Sequence, residues 1–158
     1  MEKAEIAQAV AAELEAANGR LASAMNNLAG PYGAQYRSCI ADLYFATFHA
    51  ATALLAAKGL RARSHEAAQE LLALHFVKPA ALPADTTRKL NALMDRRHTA
   101  DYKSYVPVEA ADVAEFTPWV AAFLRDALRM LRKSAPREQA AELDRLLREF
   151  DRLSASLG

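Results

Sequence analysis

Residues 34–58 leave this chain little choice of architecture. Tyr36, Ile40, Leu43, Tyr44, Phe45, Phe48, Leu54 and Leu55 recur at helical spacing and cover most of the helix circumference. A helix apolar on most sides is stable only where other elements surround it, so this one must be central. Lys58-Gly59 stops it, with glycine supplying the left-handed residue past the last turn. Composition says what the neighbours are. The 158 residues are 53% hydrophobic, chiefly alanine and leucine, and unbranched side chains lose little rotamer freedom in helices. Five glycines and six prolines are too few for a turn-rich β fold, and no strand-like alternation outlasts chance. The expectation is an all-α, up-and-down antiparallel bundle of about five to six helices, in one domain over residues 1–158.

The flanking segments follow the same logic. Residues 2–29 place Ile6, Val10, Leu14, Leu21, Met25 and Leu28 near helical spacing, with Asn18-Gly19 as a point expected to kink or split the helix. Gly30-Pro31-Tyr32-Gly33 is a break. Ser64 caps a third helix to about residue 77, carrying Leu71, Leu72, Leu74, His75 and Phe76. Asp85 or Thr86 caps a fourth, which runs to about Tyr102 with Leu90, Leu93 and Met94 inward. After a loop ending in Pro107, a fifth helix spans about 109–133, and Pro118 inside it predicts a kink or restart. Pro136 opens a sixth, at about 136–157, whose Leu143, Leu146, Leu147, Phe150, Leu153 and Leu157 form a stripe that something must cover.

Charge narrows the functional classes. The net charge is +1, which argues against binding nucleic acid by bulk electrostatics. Residues 58–103 nevertheless hold nine Lys/Arg against five Asp/Glu, so an anionic partner should meet the middle of the chain. Arg61, Arg63, Lys78, Arg88, Lys89, Arg96 and Arg97 form this basic run, which as a solvated face alone would mean nothing further. The single cysteine, Cys39, excludes an internal disulfide and reads as a small buried residue. His49, His65, His75 and His98 show no helical zinc spacing, so neither metal nor other cofactor is expected. The longest apolar run, residues 43–57, is too short and too interrupted by Thr47, His49 and Thr52 to span a membrane. A cytoplasmic location is expected.

Two segments carry more information. One is Tyr44-Phe45-Ala46-Thr47-Phe48-His49-Ala50-Ala51-Thr52-Ala53-Leu54-Leu55; the other is Arg97-His98-Thr99-Ala100-Asp101-Tyr102. Between them Arg63-Ser64-His65 opens a helix. In this order and spacing they resemble a HEPN subfamily of small bacterial and archaeal proteins, over about residues 10–133. That subfamily shows a Tyr-Tyr-Ala-x-Phe-His-Ala-Ala block ending in Leu-Leu, a Ser/Thr-His helix start, and an Arg-x-x-Ala-Asp-Tyr block. The sixth helix lies outside the resemblance.

The resemblance implies a helical bundle that pairs as a homodimer and binds RNA or a nucleotide. It further implies a metal-independent ribonuclease, whose arginine and a histidine four to six residues later meet their copies across the dimer. Arginine can hold the phosphate bidentately and histidine can move a proton near neutral pH. Here Tyr102 stands at the spacing the histidine would take from Arg97. A phenol with a pKa near about 10 is a poor base, though it can donate a hydrogen bond to phosphate. The family also implies a small nucleotidyltransferase as partner; the tyrosine modified in some such systems corresponds here to Ser104, so that property does not carry over. The candidate catalytic residues are therefore Arg97, Asp101 and Tyr102, with His49, Arg96, His65 and Arg63 as candidate ligand contacts. Two alternatives stay open. Arg97 and Asp101 are also spaced as a simple i, i+4 ion pair, and the whole chain also fits a non-catalytic dimeric scaffold for a protein partner.

Overall fold

The computed structural model describes residues 2–31 and 33–155; Tyr32 and Leu157 lie outside them. Every regular element among these residues is helical: α1 (Lys3–Ala29), α2 (Tyr36–Ala57), α3 (His65–Leu72), α4 (Thr86–Tyr102), α5 (Ala110–Ser134) and α6 (Ala140–Ala155). A π-helical turn, Ala73–Val77, extends α3, and a 3₁₀ turn, Arg137–Gln139, leads into α6.

Local chemistry sets the ends. The Ser64 hydroxyl accepts from the Ala67 amide at 3.0 Å, capping α3. The Glu109 amide donates to Asp112 at 2.8 Å in the reciprocal box that starts α5. At α4 the cap is neither residue's side chain. The Asp85 carboxylate pairs with Arg88 and Lys89, and the Thr86 hydroxyl donates back to the Pro83 carbonyl at 2.7 Å. Gly59, at φ +74°, closes α2 with the Leu60 amide reaching the Leu55 carbonyl at 3.0 Å.

Two expected breaks do not occur. α1 runs unbroken through Asn18-Gly19, because Asn18 is buried and donates to the Leu146 carbonyl on α6 at 3.1 Å instead of competing for its own backbone. α5 likewise continues through Pro118 without a restart, its apolar stripe from Val113 to Leu131 pressed into the core.

Side-chain contacts fix the directions. Arg37, at the start of α2, reaches the carbonyls that end α4, so α2 and α4 are antiparallel. Gln139 meets Ala7, and Asn18 meets Leu146, so α6 runs along α1 in the same direction. The start of α5 lies beside Tyr36, and its end lies beside Ala57. Helices α1, α2, α4, α5 and α6 thus alternate up and down, while α2 and α5 run parallel to each other.

α1 and α2 share the longest interface, and α5 and α4 complete the wall around α2. The membrane argument from residues 43–57 needs correcting. The helix that forms has 22 residues and is long and apolar enough to cross a membrane, but most of it is buried inside the bundle. The α6 stripe is covered by the chain itself: Leu143, Leu146, Phe150 and Leu153 are buried, and α6 packs on α1 and α5. Cys39 is fully buried, and burial, with Asp42 adding to it, pushes its thiol pKa up to about 11.

Candidate functional site

One side of α2 is left half-covered. Ala41, Phe45, Phe48, His49 and Thr52 lie along it at helical spacing, each partly exposed. α1 borders this strip on one side, and α3 with α4 on the other.

Arg97 projects from α4 onto it. Its guanidinium carbon lies 4.7 Å from the Phe45 ring centroid and 5.3 Å from that of Tyr44. Its Nε donates to Asp101 at 3.0 Å. Among the described residues neither terminal nitrogen has a hydrogen-bond partner, so the paired-donor edge of the guanidinium is unoccupied. The side chain is only 18% exposed, so this pair is better shielded than an ordinary surface ion pair. Arg20 of α1 approaches the same Phe45 ring at 4.6 Å while donating to the buried Asp42 at 3.1 Å; Asn27 takes the other Asp42 oxygen at 2.7 Å.

Beside Arg97 the Tyr44 hydroxyl is hydrogen-bonded to His65 Nδ1. The imidazole stacks on Phe48 at 4.3 Å and nearly parallel to the Tyr44 ring. Burial, then the charges of Arg97 and His98, hold the His65 pKa below its ordinary value. Burial outweighs the nearby Arg97 in raising that of Tyr44. At neutral pH the pair is thus a phenol and a neutral imidazole, with Nε2 free to accept or donate according to tautomer.

Of the residues singled out by sequence, Arg97, Asp101 and His65 come together here. Tyr102 does not: it is 72% exposed, with its ring 5.6 Å from that of His98. The reason is helical geometry. Convergence within one chain required the helix to end at Asp101, but α4 continues through Tyr102, which keeps its side chain about 140° around the axis from Arg97. His49 is turned away, its Nδ1 2.6 Å from Glu13 on α1. Arg96 instead ties α4 to α5, at 3.3 Å from Asp112 and 3.9 Å from Glu115. Arg63 is exposed before α3.

Tyr44 is buried in the core, as its place on the apolar helix implies, but its link to His65 was not foreseen. The available signal was its phenol: a tyrosine on a buried face needs a partner for its hydroxyl. Arg37 was missed altogether. Its guanidinium gathers the carbonyls of Ala100 (2.7 Å), Ser104 (3.1 Å) and Val106, and more loosely Lys103, fixing the loop that follows the site.

Comparison with known proteins agrees with this architecture. Residues 10–131 match the HEPN domain. A protein of Methanocaldococcus jannaschii named as a candidate toxin is 32% identical over 74 residues, covering 47% of this chain and 55% of the relative. The chain thus spans about half the length of that relative. A UPF0332 protein of Thermotoga maritima is 30% identical over 94 residues, covering 60% of this chain and 70% of its own. With a match that runs from Val10 in α1 to Leu131 near the end of α5, the chain belongs to the HEPN domain family.

Proposed function

We propose that this is an RNA- or nucleotide-binding HEPN module that works in the cytoplasm as a homodimer, within a toxin–antitoxin or defence system. The observation that carries the reading is Arg97. Its Nε is held by Asp101, its planar face rests on Phe45 and Tyr44, and its two terminal nitrogens are left for an anion. That is the preparation a guanidinium needs to take a phosphate in two parallel hydrogen bonds. The M. jannaschii relative, named as a candidate toxin, supports the toxin side of the reading. A small nucleotidyltransferase is the proposed protein partner.

Replacing Arg97 with alanine should weaken RNA binding about tenfold to a hundredfold, the loss expected for one charged hydrogen-bonding group. Helical circular dichroism should be unchanged. Filter binding and cleavage of a mixed RNA, wild type against variant, make the measurement; equal binding by both would end the phosphate reading. Two copies should associate through the half-covered strip of α2, around Phe45 and Phe48. Light scattering at micromolar protein should give the mass of a dimer, and a monomer would remove that part.

Metal-independent RNA cleavage is the stronger form of the proposal. Tyr102 points away from Arg97 within one chain, so it can complete a site only as the partner copy's residue. This same exposure favours the second reading, a non-catalytic scaffold presenting Tyr102 and Tyr105 to a protein. Absence of RNA binding in the wild type would decide for it.

A further inference from the structure

His65 gives the buried Tyr44 hydroxyl its partner, yet it does so beside Arg97, whose charge opposes protonation of the imidazole. His65 could have been placed among neutral groups. Instead it lies within reach of the charges of Arg97 and His98 on α4, and both disfavour its protonation. On α2 the group facing it is the Tyr44 hydroxyl, which is uncharged. On its own segment Arg63 and Glu66 flank it, both exposed. Asp101 is engaged with Arg97. The cluster therefore places Arg97 and His65 on a half-buried spot over the buried Tyr44 and beside the Phe48 ring.

We propose that Arg97 and His65, flanked by His98, hold a phosphate group beside the partly exposed Phe48 ring. This rests on the reading of Arg97 as a phosphate ligand and goes beyond it. It assigns the histidine to a different helix from the residue at position 102, and it makes binding depend on a proton. Tyr44 is the positioning residue: its hydroxyl engages Nδ1 and so leaves Nε2 as the nitrogen for the ligand. The ligand class is a phosphate ester, either the diester of an RNA backbone or the monoester of a nucleotide.

The sign of the proton coupling follows from the charges. In the free protein the His65 pKa lies below the ordinary value, so the imidazole is neutral at pH 7. A bound phosphate brings negative charge, offsets Arg97 and His98, and raises that pKa. By linkage, affinity for a diester, which does not titrate in this range, increases as pH falls through the His65 range and is level well above it; a monoester takes up its own proton near about pH 6, so there the His65 midpoint is the readout.

The test is an NMR titration of the His65 imidazole in the full chain. It is run free, with inorganic phosphate, with a nucleoside monophosphate, and with a dinucleoside phosphate. The midpoint should rise by about one unit at saturation, equivalent to about tenfold tighter binding to the protonated form. In Arg97→Ala the free midpoint should already be higher, because a repelling charge is gone, and ligand should no longer move it. Arg97→Lys, which keeps the charge and loses the fork, should keep the low free midpoint and lose most of the ligand effect. A shift with the monoester alone identifies a nucleotide site, and one with the diester as well identifies an RNA-backbone site; either upholds the proposal. An unmoved His65 midpoint at saturating concentrations of all three ligands overturns it, even if Arg97→Ala weakens RNA binding. A ligand-dependent midpoint without RNA binding would leave this site standing and defeat the RNA reading instead.

Discussion

Cutting Phe150 back to alanine lowers the unfolding free energy by about 3–5 kcal/mol, the cost of emptying a fully buried aromatic site. Phe150 has no exposed surface, and the Arg125 guanidinium lies 5.7 Å from its ring centroid. α6 is otherwise held by the buried Leu143, Leu146 and Leu153 and by a few polar contacts. Asn18 donates to the Leu146 carbonyl, Gln139 donates to that of Ala7 at 2.6 Å, and Arg132 grips Asp144 through two nitrogens at 2.6 and 3.3 Å. The Arg132–Asp144 pair is solvent-exposed and cannot replace lost packing. For a domain of ordinary stability the loss is a large share of the total, and the midpoint of thermal unfolding should fall by about 10 °C or more. Denaturant titration measures it. A change below about 1 kcal/mol would mean that the Phe150 site collapses around the lost ring or contributes little to stability.

Arg37→Ala is the second large effect, on the order of 3 kcal/mol. The Arg37 guanidinium is the hub of the connection from α4 to α5, and its removal leaves the Ala100 and Val106 carbonyls short of a charged donor. Lys103 and Ser104 are exposed, so water takes over their carbonyls and limits the loss. The functional consequence is local. Residues 103–107 set where the last turn of α4 stops, and with it the setting of Asp101 and the exposed pair Tyr102 and Tyr105. Hydrogen exchange should show amides of this loop and of the last α4 turn exchanging faster, with the α1–α2 interface unchanged. Unaltered exchange there would make the clamp incidental.

The legible and illegible parts of this chain separate on physical grounds. α2 announced its central position because a helix apolar on most sides has one solution. α6 announced its buried stripe in the same way, but not what would cover it. Asn18-Gly19 misled because helix-breaking tendency is a local property, and here a contact 128 residues away overrides it. Arg97, Asp101 and His65 were legible as residue types at motif spacing. Tyr102 was expected at the site from the Arg-x-x-Ala-Asp-Tyr block, and because α4 continues through it, only a second copy can bring it to Arg97. His49 pairs with Glu13, 36 positions back, a contact that no window along the sequence reveals. Arg37 left no trace, since its partners are backbone carbonyls and any residue would supply those.

The stitching of α6 to α1 has a consequence for synthesis. Ala7 and Asn18 find their partners 132 and 128 residues later. At about 5–20 residues per second, translation leaves these α1 positions waiting on the order of ten seconds. During that interval the α1–α2 hairpin can close, while the face of α1 meant for α6 stays open to water and to other chains. Nascent chains on neighbouring ribosomes would offer that face the same apolar stripe in trans. The interval before α6 emerges is therefore when this protein is most open to misassembly and to capture by chaperones.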